Sequence, residues 1–363
     1  MKNSNISIFT IAEKAGISTA TVSRVLNHPE LVNSKTIELV RSTMKELDYV
    51  PKRSSAQKNK GIPKLILVNV PQISNPFYSE IIRGIESSAS NHKYRTLISQ
   101  EPLSTDEEIR SFMSFAKSLH TNGIILCSPL SKPEQYHQIG ESIPLVQCCE
   151  YASEEYSYVS INDYKAAFSA MEHIYSQGRR KIAFINGPLT YKYSTERQKG
   201  YDTFIHQSGL NVYPGWCISL AEINYDMAYA SACQMLTSSN PPDAIFASSD
   251  LVAAAVIKAA QQYHLNIPDD LVVVGFDNID ISTISSPSIT TVSQPRFQIG
   301  YTAGEILNEH IASPVAYTQH ILHNTELIIR QSSVPQKNAQ FNDNTIFSVP
   351  LFIEKKEESD TVL

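Results

Sequence analysis

Ile8-Phe-Thr-Ile-Ala-Glu-Lys-Ala-Gly16-Ile-Ser-Thr-Ala-Thr-Val-Ser-Arg-Val-Leu-Asn27 decides how this chain is read. The first half is a short helix, opened by Thr10 as N-cap and closed by Gly16, the residue best suited to a left-handed turn. Ile17-Ser18 completes the turn and Thr19 to Asn27 forms a second helix. Val22, Val25 and Leu26 give that helix an inward stripe, leaving Thr19, Ala20, Ser23, Arg24 and Asn27 on its outward side. Asn33 caps a third helix, in which Ile37, Val40, Met44 and Leu47 recur at helical spacing, and Pro51 stops it. Three small helices with a glycine turn between the first two make a helix-turn-helix, whose second helix enters the DNA major groove.

The chemistry of the outward face follows. Arg24 can fork onto guanine O6 and N7, while the Ala20 methyl and Thr19 can meet a thymine methyl or a base-edge acceptor. Ser18, Ser23 and the amides near the helix start suit phosphate oxygens, which set register and not sequence. Thr10, Thr21 and Asn27, with Lys52, Arg53 and Lys58 further on, complete the expected DNA contacts.

Charge is distributed to match. Met1 to Lys60 carries ten Lys and Arg against five Asp and Glu, or +5. The remainder has 20 against 31, or −11, which gives the whole chain its −6. A basic end on an acidic body suggests one region that seeks a polyanion and another that does not.

At 363 residues and 42% hydrophobic, the chain calls for two or three domains and is too apolar to be disordered throughout. No apolar run approaches the roughly 20 residues of a bilayer span, and the opening MKNSNISIFT lacks a secretory apolar segment, so a cytoplasmic protein without membrane contact is expected. Five cysteines (Cys127, Cys148, Cys149, Cys217, Cys233) form no C-x-x-C pair, and are expected as buried or partly buried thiols. There is no G-x-S-x-G elbow, P-loop, G-x-G-x-x-G or H-E-x-x-H, and the ten histidines show no ligand spacing. A non-enzyme without metal or cofactor is therefore expected.

From Lys64 onward short β-branched runs alternate with amphipathic stretches. Strands are predicted at Leu65–Val70, Arg95–Ser99, Gly123–Cys127, Leu145–Cys148, Lys181–Ile185, Ala244–Ala247 and Leu271–Phe276. Helices are predicted at Phe77–Asn91, Glu107–Leu119, Lys165–Gln177, Glu196–Gln207, Met227–Leu236 and Leu251–Tyr263. Such alternation gives parallel sheets covered by helices on both faces, here in two series that break near Ser160. Ligands of open α/β sheets bind at the carboxyl ends of strands, so a cleft between two halves is the natural site.

Ala12, Gly16-Ile-Ser, Thr21-Val-Ser-Arg24-Val-Leu-Asn27, Thr36 and Tyr49-Val-Pro51 stand together as in the LacI/GalR family of bacterial repressors, which this chain resembles from Ile8 to Arg330. Asn75-Pro-Phe-Tyr-Ser-Glu-Ile-Ile-Arg-Gly-Ile-Glu86, Gly275-Phe-Asp-Asn-Ile-Asp280, Ser293-Gln-Pro-Arg296 and Glu326-Leu-Ile-Ile-Arg330 carry the likeness through the body, nearest to cytidine-responsive members. The resemblance implies an all-α helix-turn-helix head (1–51) and a linker (52–63), followed by two doubly wound parallel-sheet subdomains of the periplasmic-binding-protein-like type (64–330). The first subdomain is expected to take 64–160 and 293–323, the second 161–292 and 324–330, with crossings near Ser160, Val292 and His323. The remaining 331–363 is expected as a partly disordered tail, with a docking strand at Phe347–Ile353. In most such repressors the linker forms a hinge helix that wedges a leucine into the minor groove. Lys58 stands at that position here, and a lysine cannot unstack a base step as an apolar wedge does.

The resemblance also implies roles in the body. Phe77 and Tyr78 offer an aromatic face, Arg197 matches the family arginine on the ligand's polar groups, and Asp277 sits where a carboxylate meets sugar hydroxyls. Gln294, Asn162 and Asp163 lie at expected crossings, facing the cleft or pinning the hinge. Ser249 replaces a ligand-contacting asparagine, Asp250 is expected as a helix N-cap, and Ile223 and Tyr225 are candidates for a second wall. The expected protein is a homodimeric repressor of operator DNA, paired through helices such as Phe77–Asn91 and Leu251–Tyr263, and released by a nucleoside such as cytidine. A co-bound activator such as the cAMP receptor protein is a further expected partner. A sugar or purine effector, or a solute-binding protein without transcriptional role, are the alternatives.

Overall fold

The computed structural model describes residues 8–27, 32–47, 64–128, 130, 132–313 and 316–334. The head consists of α1 (Ile8–Ala15), α2 (Thr19–Asn27) and α3 (Ser34–Glu46). Ile11, Ala12, Val22, Val25 and Val40 form its buried core, with Ile37, Met44 and Leu47 packed around them. Gly16 takes a φ of +66° between α1 and α2, the left-handed turn that a β-carbon would strain. Asn33 caps α3 by accepting from the Lys35 amide at 2.9 Å. Thr10 departs from expectation. The backbone is already helical from Ile8, so Thr10 lies inside the first turn and cannot be the N-cap.

The body contains two six-stranded sheets. The first half runs β1 (Leu65–Asn69), α4 (Phe77–Asn91), β2 (Arg95–Ser99), α5 (Asp106–Ser118), β3 (Gly123–Leu126), α6 (Pro133–Gly140), β4 (Leu145–Cys148) and β5 (Tyr158–Ile161). The second runs α7 (Asp163–Ser176), β6 (Ile182–Asn186), α8 (Lys192–Gln207), β7 (Cys217–Ser219), α9 (Tyr225–Leu236), β8 (Ala244–Ala247), α10 (Asp250–Gln262), β9 (Val272–Asp277), α11 (Ile281–Ile284) and β10 (Thr290–Ser293). Then come α12 (Arg296–Ala312), β11 (His320–His323) and β12 (Glu326–Ile328). Sheet order is β11-β5-β4-β3-β1-β2 in one lobe and β12-β10-β9-β8-β6-β7 in the other. The chain therefore passes between lobes after Ile161, after Ser293 and after His323. Residues of β3, β4, β8 and β9 are buried throughout, as parallel strands covered on both faces must be.

Several elements were not expected. Strands β5, β7, β10, β11 and β12 are three or four residues long, too short for an alternation pattern to register. Strand β12 runs antiparallel to β10, so the second sheet is not wholly parallel. Helix α12 follows Pro295, where only a crossing was expected. Ser332 and Ser333, assigned above to the tail, are buried. The Ser332 carbonyl accepts from the Val273 amide at 2.9 Å, and its hydroxyl oxygen accepts from the Thr290 amide at 2.8 Å. The strand ends need those partners, so the folded body extends to Val334. The remaining tail, including Phe347–Ile353, lies outside the described residues, as does the linker.

Helices α4 and α12 pack through their backbones. A β-carbon at Gly84 would lie 2.1 Å from the Phe297 carbonyl oxygen, and one at Gly300 would lie 2.0 Å from that of Ile81. Gly300→Ala is accordingly expected to cost about 1–3 kcal/mol through forced separation of the two helices. Denaturant unfolding of the variant against the native protein measures it.

Candidate functional site

On the head, Ser18 precedes α2 and its Oγ accepts from the Thr21 amide at 3.1 Å, so Ser18 caps the second helix. The Thr21 hydroxyl is 2.8 Å from the same oxygen and is committed to the turn. Thr19 and Arg24 are exposed, while Ser23, Thr21 and Thr10 are half-buried. The outward face of α2 thus presents an exposed guanidinium in the last turn of the helix. The side chains of Ala20 and Asn27 lie outside the described residues, as do Lys52, Arg53 and Lys58.

In the body, the carboxyl ends of strands from both lobes converge on a cavity. Phe77 and Tyr78 both line it, their rings meeting edge to face with centroids 5.1 Å apart. Tyr78 is also part of the core, whereas Phe77 is half-buried. Arg197, on α8, is buried within the opposite wall. Its Nε donates to Asp163 at 2.8 Å and its Nη1 to the Ser248 carbonyl at 2.6 Å. Its guanidinium lies 3.4 Å from the centre of the Phe276 ring and 4.8 Å from that of Tyr193. The surface ion pair with Glu196 or Asp202 that its sequence neighbours would suggest does not form; Asp163 is the partner.

Asp277 ends β9 with a φ of +104°, followed by Asn278 at +54°. Two successive non-glycine residues in this region store strain that turns the carboxylate into the cavity. There it accepts from Gln294 Nε2 at 2.8 Å, and burial pushes it up to about 6 against the pull of Arg197 and Arg296. Ile223 and Ser249 line the same cavity. Ser249 Oγ accepts from the Val252 amide at 3.3 Å, so Ser249, and not Asp250, is the N-cap of α10. Asp250 is instead the first helical residue, turned inward, and burial together with nearby Asp277 pushes it up to about 8. Gly275 makes room for it, since a β-carbon there would lie 2.4 Å from Asp250 Oδ1.

Two candidates fall elsewhere. Tyr225 is exposed on the outer face of α9, stacked on Tyr229, because the Asn224 cap starts the helix there and carries the ring away from the cavity. Asn162 caps α7 by accepting from the Lys165 amide at 2.9 Å, and faces an adjoining hollow.

The cavity also brings in residues not anticipated: Asn75, Cys149, Glu150, Tyr193 and Ser248. Cys149, Glu150 and Ser248 directly follow strands, so the rule that singled out Phe77 and Asp277 applies to them as well. Tyr193 was missed because α8 begins at Lys192, a turn earlier than expected. Glu150 joins the lobes. From the loop after β4 its carboxylate accepts from the Lys192 amide at 2.8 Å and the Tyr193 amide at 3.1 Å, at the start of α8. Burial, then Asp163, pushes it up to about 8, against those two donors and Arg197. All five cysteines are free, and Cys217 is exposed where a buried or partly buried thiol was expected. Among the described residues no group of His, Cys, Asp and Glu could hold a metal ion, and no helix is long and apolar enough to cross a membrane.

Comparison with known proteins agrees with both parts. Residues 7–52 match the model for bacterial regulatory proteins of the LacI family, and 171–333 that for a periplasmic binding protein-like domain. The HTH-type transcriptional repressor CytR of Escherichia coli (strain K12) is 34% identical over 325 residues, 89% of this chain and 95% of that protein. The chain belongs to the LacI family. A second relative, the ribose operon repressor of Halalkalibacterium halodurans, is 33% identical over 337 residues, 91% of this chain and 98% of its own. The crystal structure of the Lac repressor dimer bound to operator and the anti-inducer ONPF shares the fold, with a TM-score of 0.69 at 22% identity, over 91% of this chain and 99% of that one. The chain is a LacI-family transcription repressor.

The raised carboxyls make a pH prediction. A group whose folded value exceeds its unfolded one binds protons more tightly when folded, so its stabilisation is complete below the unfolded value and lost as pH climbs through the folded one. For Glu150 that window runs from about 4.5 to about 8. Glu150→Gln should therefore gain in melting temperature relative to the native protein as pH rises from 5 to 8. Paired thermal melts without ligand test this.

Proposed function

We propose that this LacI-family repressor binds operator DNA as a homodimer through its heads and is released when a nucleoside, cytidine foremost, occupies the interlobe cavity. One observation carries the reading. The cavity sets an aromatic wall, Phe77 with Tyr78, against a polar wall of Arg197, Asp277 and Gln294. A flat base suits the first, and vicinal hydroxyls suit a carboxylate and guanidinium that accept and donate in turn. The relation to CytR supports this choice. The ribose operon repressor favours a second reading, a sugar effector, and a purine is the third. A solute-binding protein without transcriptional role would have no use for the basic head. The proposed setting is the cytoplasm, with an activator such as the cAMP receptor protein co-bound at the promoter.

In this reading Arg24 and Thr19 meet base edges, with Ala20 beside them. Ser18, Ser23, Thr21, Thr10 and Asn27 hold the backbone, and Lys52, Arg53 and Lys58 add charge along the linker. Arg24→Ala should weaken specific operator binding by about 1–3 kcal/mol while changing binding to random DNA far less. Equal losses on both, in competition gel shifts, would remove the base-reading role. Effector closure and operator release are reciprocally coupled. Asp277→Asn should accordingly leave operator affinity intact and abolish its response to nucleoside, and an unchanged dose response would show the assignment to be misplaced. Thermal-shift screening of nucleosides, sugars and purines against the native protein tests the effector class; stabilisation by sugars alone would replace the nucleoside.

A further inference from the structure

The cavity is rich in acid and short of available cation. Glu150, Asp163 and Asp277 all face it, with Arg197 as the single basic group among its lining residues. Two of the Arg197 nitrogens are already bound to Asp163 and to the Ser248 carbonyl. The nearest other cations are occupied as well. Lys192 Nζ lies 3.5 Å from the centre of the Tyr151 ring, and Arg296 donates to the Pro76 and Asn278 carbonyls at 3.3 and 3.1 Å.

The start of a long helix is ordinarily the best phosphate cradle a protein offers, since its free amides and dipole both favour an anion. Helix α8 points such a start at the cavity, but Glu150 already fills it, accepting from the Lys192 and Tyr193 amides. This carboxyl crosses from the other lobe and is 4% exposed. A phosphoryl group entering beside it would find three carboxyls, an Arg197 with two of its nitrogens already bound, and the amides at the start of α8 already taken. A neutral ligand with amino and hydroxyl donors would find acceptors.

We propose that Glu150 is a specificity-determining residue, a built-in carboxyl that occupies the amides at the start of α8 and so admits neutral or cationic, donor-rich ligands and excludes their phosphorylated counterparts. The inference rests on the interlobe cavity being the effector site, as proposed above, but not on the effector being a nucleoside.

Matched pairs test it on the full-length protein by isothermal titration: cytidine against cytidine 5′-monophosphate, adenosine against adenosine 5′-monophosphate, and ribose against ribose 5-phosphate. The unphosphorylated member of the binding pair should be favoured at least roughly tenfold, because the phosphate forgoes charge-assisted hydrogen bonds to amides already taken. Glu150→Ala, which frees both amides, should narrow that preference at least tenfold by strengthening the phosphorylated member. Binding of ribose with neither nucleoside would retire the nucleoside reading and leave the exclusion standing. A phosphorylated member that binds the native protein as tightly as its partner overturns the exclusion, and so does the absence of binding in every pair. Should Glu150→Ala fail to fold, the native pairs alone decide.

Discussion

Arg197 is the side chain on which the cavity is built. A guanidinium this far from water is tolerable only with full compensation, and it receives three kinds: the Asp163 carboxylate, the Ser248 carbonyl and the Phe276 ring. Those partners come from the start of α7, the end of β8 and the end of β9. One charge thereby fixes α8, the start of α7 and the ends of β8 and β9 relative to one another in the second lobe. Its remaining nitrogen, Nη2, has no protein hydrogen-bond partner among the described residues, which suits a group kept for a visitor. Removing the guanidinium would strand Asp163 in a buried site, so the pair is a structural necessity before it is a recognition device.

Glu150 is the counterpart across the gap. Its carboxyl belongs to the first lobe and its donors to the second, so any opening of the lobes must break two hydrogen bonds. A molecule in the cavity acts on the lobes only through its different affinity for the open and closed arrangements, and Glu150 already biases that balance. The strained backbone at Asp277 and Asn278 fits this frame. Strain is held at the point where a carboxylate must be aimed, and the surrounding sheet resists its relaxation.

Much of this was legible in the residues, and the failures have physical causes. Long amphipathic helices and β-branched central strands announce themselves by periodicity, which is why β1, β3, β9, α4 and α10 lie close to their expected bounds. Edge and crossing strands such as β7, β11 and β12 are short and partly exposed, and carry no such signal. Caps shifted by a residue or two where competing groups stood side by side, as Ser249 displaced Asp250. In the site, strand ends pointed to Asp277 and Ser249, but Cys149, Glu150 and Ser248 were passed over beside strands that had been recognised. Glu150 lay within reach of the same rule, but its role at a helix start 42 residues away is one no local pattern reveals.

The three passages between lobes mean that neither lobe is a continuous piece of chain. The first lobe takes back α12 and β11 after the second is nearly complete, and the second closes with β12. Exchanging one lobe for that of a relative, to graft a new sensing specificity onto these DNA-reading helices, would need splices at three separate junctions. Retuning such a protein is therefore simpler by replacing individual cavity side chains than by shuffling whole segments.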